Sequence, residues 1–229
     1  IGPDEQVIRD LVIGDPQRPD LTIAQVRVAT RIGFGLPGIG RITLVRPRLY
    51  GSVRGGKVSF GSLDKALFTG GGGPFRLPDY DLAIRDGRAL IESDYGRAGI
   101  KLDGKGRLRG GFSGEVAAIM PGVAAAGCTA QRASVYGKLT VTAEKPRFVG
   151  PVRLAGLDCP AQALRLASAG LQSDVTFDPA LDGGEGRFGL TAGPLAHAGE
   201  RLAALKGDTT LTYRKRVLTA RYDLTASGL

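Results

Sequence analysis

Few residues in this chain could do chemistry, and they are poorly spaced for it. Asp79 and Asp81 stand two apart, as do Glu92 and Asp94, and paired carboxylates are what general acid–base work requires. Each pair falls on the polar side of a stretch that alternates as a strand, where carboxylates are the ordinary solvated residues. His197 is the single histidine, and no Gly-x-Ser-x-Gly elbow supplies a nucleophile for it. Cys128 and Cys159 are far apart with no C-x-x-C spacing, so a four-ligand zinc site cannot be assembled from them and one histidine. Gly70 to Gly73 precede Pro74 with no Gly-Lys-Ser/Thr ending and no helical pattern, which is not a phosphate-cradling loop. The sequence gives no case for an enzyme, a metal or a cofactor.

Charge is the next lead. Thirty-one basic residues face 22 acidic ones, a net charge of +9, which favours nucleic acid, anionic lipid headgroups or acidic polysaccharide without choosing among them. Base stacking needs aromatics interleaved with Lys and Arg on one surface. Phe112, Phe148, Phe177 and Phe188 instead fall on the apolar sides of their stretches, with the basic residues opposite, so nucleic acid is not the expected partner. The two cysteines admit one disulfide or two buried thiols. An even count in a glycine-rich β protein favours the disulfide and an oxidising compartment. Closing a loop of about 30 residues would stabilise the fold by roughly 3–4 kcal/mol in the chain-entropy model.

The elements that position these residues are strands. Over 229 residues glycine reaches 36, roughly twice its usual share, tryptophan is absent and aromatics are 6%. Residues 7–63 open with Val7, Leu11 and Ile13 on one side of a strand that Gly14-Asp15-Pro16 ends. A glycine-rich turn is expected from Gly33 to Gly40, then a strand to Tyr50, a turn at Gly51 and a strand from Lys57 to Phe60. One helical turn fits 63–68, and residues 70–74 are expected to be a flexible loop. Asp86-Gly87 reads as a hairpin turn and Asp103 to Gly106 as another. The pattern predicts a strand from Leu164, a helix over Ala196 to Leu205, and 12–15 strands of 5–9 residues in all.

The alternation assembles one long apolar side. Leu82 and Ile84 begin it, followed by Ile100 and Leu102, then Leu108, Phe112 and Val116. Leu139 and Val141 continue it, then Phe148, Val152 and Leu154, and finally Phe177, Phe188 and Leu190. The expected fold is all-β with minor helix: a long antiparallel meander forming a curved, groove-shaped sheet with an apolar inner face. Those residues would line either a closed sandwich or barrel core, or an open groove for lipid. A strand of 7–8 residues spans about 25 Å, enough for one acyl chain, which occupies about half of a roughly 30 Å hydrocarbon layer.

The run Val12-Ile13-Gly14-Asp15-Pro16, with Pro19-Asp20-Leu21 after it, resembles the opening of the periplasmic region of YdbH-type proteins. These belong to the AsmA-like group that includes TamB. Gly104-Lys105-Gly106-Arg107-Leu108-Arg109-Gly110-Gly111-Phe112 and the stretch from Gly150 to Cys159, with Cys128 before it, carry the likeness further. It covers most of residues 7–180 and fades in the last 50. The resemblance implies an inner-membrane anchor preceding this segment, a taco-shaped sheet crossing the Gram-negative periplasm, and movement of phospholipid toward the outer membrane. It carries over no catalytic residues. Residues 1–229 are accordingly expected to be a single segment of a longer, membrane-anchored protein, with phospholipid or another amphipathic lipid as partner, and outer-membrane components as further candidates. Two other readings stand beside it: a scaffold that binds outer-membrane polypeptides by strand addition, and a closed β-sandwich interaction domain.

Overall fold

A computed structural model describes residues 5–33, 36–67, 76–215 and 217–228. The first strands are β1 (Glu5–Asp15), β2 (Arg18–Gly33), β3 (Leu36–Arg54) and β4 (Lys57–Ser59), followed by a 3-10 turn and the one-turn helix α1 (Asp64–Leu67). Next come β5 (Asp81–Ser93), β6 (Gly96–Arg107), β7 (Ser113–Met120), β8 (Val123–Ala125), β9 (Cys128–Thr142) and β10 (Lys145–Cys159). The last are β11 (Leu164–Phe177), β12 (Gly184–Ala192), β13 (Leu195–His197), β14 (Glu200–Leu202), β15 (Ala204–Arg214) and β16 (Val217–Ser227). All sixteen belong to one open, curved sheet.

Its main path runs β1-β2-β3-β5-β6-β7-β9-β10-β11-β12-β15-β16, with the short β4, β8 and β13 attached at the ends of longer strands and β14 paired to β13. Twelve strands at about 4.8 Å spacing give about 53 Å between the outermost ones. The two ends of the path do not meet, so the closed-sandwich expectation is set aside. Exposure gives the same answer. The chain presents 15036 Å² to solvent, against about 9,900 Å² for a compact monomer of 23.9 kDa. No described side chain is fully buried.

One strand pair breaks the antiparallel rule. The chain leaves β3 through the Gly55-Gly56 turn into β4, passes α1, and re-enters beside the start of β3, so β5 runs parallel to it from Arg41↔Asp81 to Val53↔Ser93. Asp20 fastens this detour to the β1–β2 hairpin: its carboxylate accepts hydrogen bonds from the Ser62 amide (2.9 Å) and hydroxyl (2.6 Å). At the far end the Leu108 amide donates to the Tyr80 carbonyl (3.0 Å) and Arg109 Nε donates to the Leu77 carbonyl (2.8 Å).

Several sequence expectations are corrected. Asp86-Gly87 is not a hairpin but lies inside β5, and Asp103 to Gly106 lies inside β6; the real turns sit at Asp94-Tyr95 and over 108–111. Gly51 is inside β3, and Leu36 to Gly40 belong to that strand as well, with residues 34–35 outside the described ones. The expected helix over 196–205 is instead β13, a turn, β14 and the start of β15. Small residues and a positive-φ Ala198–Gly199 turn make a hairpin there, where apolar spacing alone suggested a helix. Strands of the main path run to 19 residues, not 5–9, because glycines and bulges bend them without ending them. The one-turn helix at 64–67 agrees with the sequence reading, as does the strand from Leu164. The loop expected at 70–74 lies outside the described residues.

Three left-handed residues are aligned across the sheet. Asp10 (φ 51), Arg46 (φ 53) and Asp86 (φ 48) occupy the same row on β1, β3 and β5, with Ala24 between the first two on β2. A left-handed residue shifts the side-chain alternation by one, so residues three apart share a face on either side of the row. Ile8 therefore joins Leu11, where Val7 was expected; Ile23 joins Val26, and Leu44 joins Pro47. The row is held by side chains. The Asp86 amide donates to the Asp103 carboxylate (2.7 Å), and Arg48 donates to the Asp86 carbonyl (2.6 Å) and carboxylate (3.1 Å).

Candidate functional site

The registers place the expected lining residues on one face. Leu82 and Ile84 on β5 stand opposite Gly106 and Gly104. On β6, Ile100 and Leu102 face Ala118 and Val116 of β7, and Val116 in turn faces Gly137 of β9. Leu139 pairs with Phe148, and the Val141 amide donates to the carbonyl of Phe112 (2.9 Å). Val152 stands opposite Leu171, which stands opposite Leu190, and Leu154 opposite Ala169. Phe188 faces Ser173, and Phe177 faces Gly184. Leu108 is the exception: it sits in the turn between β6 and β7, off the strand pleat.

Sequence reasoning missed two parts of this surface. Ile23, Val26, Leu44 and Leu49 extend the face onto β2 and β3, which the interrupted alternation had hidden. The second part is a floor of glycine covered by phenylalanine. A Cβ at Gly51 would lie 2.7 Å from Phe60 Cδ1, one at Gly104 2.7 Å from Phe112 Cζ, and one at Gly137 2.7 Å from Phe148 Cε2. Gly186 stands the same way beneath Phe188, at 2.8 Å. Rings set against bare backbone take the place of a side chain at these positions, a device known to pin sheet register. The recurrence of Phe two or more positions from Gly was visible in the sequence as high glycine with few aromatics.

The opposite face is polar and laced with ion pairs. Arg41 makes a two-pronged contact with Asp81 (3.0 and 3.1 Å), and Arg147 does so with Asp174 (2.7 and 2.6 Å). Such contacts account for three of the four acid–base candidates: Asp81 is held by Arg41, Glu92 by Arg97 (2.8 Å), and Asp94 by Arg54 (3.3 Å) and the Gly55 amide (2.7 Å), while Asp79 lies exposed before β5. The Asp94 carboxyl is held below the ordinary carboxylate pKa, first by that amide and then by Arg54. His197 ends β13 on the exposed side of a hairpin, opposite Glu200. Among the described residues, no three His, Cys, Asp or Glu side chains come together as metal ligands would.

Cys128 and Cys159 are joined, with Cα atoms 4.2 Å apart. They continue the β9–β10 register one step beyond Thr129↔Asp158, so the bond ties the start of that hairpin to its end. Among the described residues, no helix is long and apolar enough to cross a membrane.

The arrangement is thus a broad apolar surface on one side of the sheet, stapled by a disulfide. A family model for YdbH-like proteins, described as intermembrane phospholipid transport protein YdbH, matches residues 1–229. The chain belongs to the YdbH-like family. No curated protein and no solved structure matches it. Family membership ties the chain to intermembrane phospholipid transport, and the resemblance read from Gly14-Asp15-Pro16, Gly104 to Phe112 and Gly150 to Cys159 extends over the whole length.

Proposed function

We propose that the apolar face is the surface on which phospholipid acyl chains travel, in the periplasm, as part of an inner-membrane-anchored protein. The observation that carries this reading is the length of that face: it continues across the twelve strands of the main path, and among the described residues no second sheet packs over it. Apolar surface left this open is costly, at about 25 cal/mol per Å² kept in water, and monomers seldom expose patches beyond a few hundred Å². Acyl chains would remove both the sheet's apolar groups and their own from water, while headgroups stay at the wet rim. The sheet curls around its cargo as a groove. Transfer is then passive, and direction comes from the membranes it connects.

Photocrosslinking tests it. Phe112 and Val141 are buried and make poor reporters. Half-buried Leu102 and Leu190 sit on the same face and take a photoreactive residue with less disturbance. Phospholipid adducts at both positions, and none at Lys138 on the polar face, are expected. Adducts equally frequent on the two faces, or absent from both, would overturn the proposal.

One observation favours a second reading, strand addition at a sheet edge. Every residue of β16 is exposed, and β15 is its one partner among the described residues. Unpaired edges accept extended chains. Capture of an extended outer-membrane peptide by the lipid-free protein, abolished by a proline at Tyr222, would favour it over the lipid face.

A further inference from the structure

The polar face holds depressions of its own, and one of them differs from the rest in charge. One of about 920 Å³ over β3 to β10 mixes Arg41, Arg85, Lys105 and Lys138 with Asp103 and Glu115. Three smaller ones contain Asp10, Asp20 with Glu92, and Asp174 with Glu185. A depression of about 550 Å³ over β9 to β15 is lined by Arg132, Arg153 and Lys206 together with Ser134, Ser168 and Thr191, and by no carboxylate.

The sheet register explains how these groups converge. Ser134, Arg153, Gly170, Thr191 and Lys206 form one continuous row across β9, β10, β11, β12 and β15. Arg132 lies one step along, opposite Ala155, which faces Ser168. Gly170 has no side chain to fill the middle of the row, and Ala155 and Gly193 keep the neighbouring floor low. None of the three cations takes part in an ion pair or a side-chain hydrogen bond among the described residues, on a face where most strands carry such pairs. Asp208, two residues along β15 from Lys206, is the nearest carboxylate in sequence on this side, and it lies outside the lining.

We propose that this depression is an anion site that takes a phosphate-bearing ligand. Two guanidinium forks on adjacent strands match the paired oxygens of a phosphate. The Ser134 hydroxyl supplies a further donor, while the Ser168 and Thr191 hydroxyls donate to the Gly193 and Gly170 carbonyls (3.2 and 3.5 Å) and line the floor. Lys206 lies three strands from Arg153, about 14 Å at ordinary strand spacing, so the site suits an extended anion better than a single phosphate. The phosphate could be free in solution or belong to a lipid headgroup presented to the polar side. The site lies on the face opposite the proposed acyl surface and does not depend on that reading.

The test is calorimetric titration of the purified protein with inorganic tripolyphosphate at low salt. Flotation is run in parallel with vesicles of phosphatidylglycerol and phosphatidylcholine, and with vesicles of phosphatidylcholine alone. The site variant is Arg132→Ala with Arg153→Ala and Lys206→Ala; the charge-matched control is Arg9→Ala with Arg18→Ala and Lys57→Ala. Gly170→Val fills the floor without changing charge, and circular dichroism checks that each variant keeps its strands. The site variant and Gly170→Val are expected to weaken tripolyphosphate binding about tenfold or more, and the control less than about twofold. If the headgroup is the source, the same variants lose the extra binding to phosphatidylglycerol vesicles; if it is a soluble phosphate, only the titration changes. Absence of binding to both probes, or equal weakening by the site and control variants, overturns the proposal. Loss of acyl crosslinks at Leu102 and Leu190 with anion binding intact would fault the lipid face and leave this site standing.

Discussion

The ring of Phe112 rests on the backbone of Gly104, so that a Cβ there would meet Phe112 Cζ at 2.7 Å and the Gly114 Cα at 2.8 Å. Phe112 is 3% exposed, among the most buried side chains of an open sheet, and the missing Cβ at Gly104 leaves room for its ring. Gly104→Ala must lift the ring or part β6 from β7, and is expected to destabilise by about 1–3 kcal/mol. Phe112→Ala should cost about 3–5 kcal/mol. The double variant should cost less than the sum, since the alanine Cβ meets no ring. Urea unfolding of the three variants measures this; strict additivity would show that the ring and the glycine do not act as a unit.

The Cys128–Cys159 bond closes a separation of 31 residues. Chain entropy gives it about 3–4 kcal/mol. Cys128→Ala with Cys159→Ala should therefore lower the urea midpoint clearly, and reducing agent should do the same to the wild-type protein. The double variant should not respond to reductant. A wild-type midpoint unmoved by complete reduction would show that the register of β9 and β10 needs no covalent tie.

The alternation of Leu82, Leu102, Val116, Leu139 and Leu154 revealed the strands and their shared side, because a pleated strand reports its faces directly in sequence. What it hid were the places where the backbone departs from the pleat. Asp86-Gly87 has the composition of a hairpin turn, yet Asp86 is one of three left-handed residues aligned across the sheet. Its amide is met by Asp103 from the next strand, a partner that no local pattern announces. The left-handed Asp10 likewise moved Ile8 onto the apolar face in place of Val7. The helix expected over 196–205 failed for a related reason: Leu202 and Leu205 are three apart on both a helix and a broken pair of strands, and the β11 edge at Leu164–Leu166 offered β13 a partner. The anion depression was out of reach, since its row draws on five strands whose register only the fold fixes.

Four carboxylates make the fold sensitive to acid. Asp20 is held below its ordinary pKa of 3.8 by the Ser62 hydroxyl and amide, Asp86 chiefly by Arg48, Asp94 chiefly by the Gly55 amide, and Asp174 chiefly by Arg147. A carboxylate with a depressed folded-state pKa binds its proton more readily in the unfolded chain. Its contribution is complete above pH 3.8 and is lost as the pH falls through the lower folded-state value. Tm should be flat between about pH 5 and 7 and fall below about pH 4. Asp20→Asn with Asp174→Asn should lower Tm at pH 7 and flatten the acid limb. An acid limb as steep as the wild type's would assign the loss to other groups.

Ser173 sits on the apolar face between Gly150 and Phe188, 2% exposed, and its hydroxyl has no hydrogen-bond partner among the described residues. A buried hydroxyl left unpaired costs about 1–3 kcal/mol in lost hydration. Ser173→Ala removes that cost and only one oxygen's worth of packing, so it should stabilise the protein by about 1 kcal/mol. Tm measured at pH 7 decides it. A lower Tm would mean that the hydroxyl is satisfied in solution. Since the serine stands in the same row as Leu190's neighbour Phe188, the alanine variant should also leave phospholipid crosslinking at Leu190 unchanged, because it alters the polarity of the wall without altering its shape. A protein that becomes more stable while retaining its lipid adducts would show that this part of the face works as a continuous apolar wall.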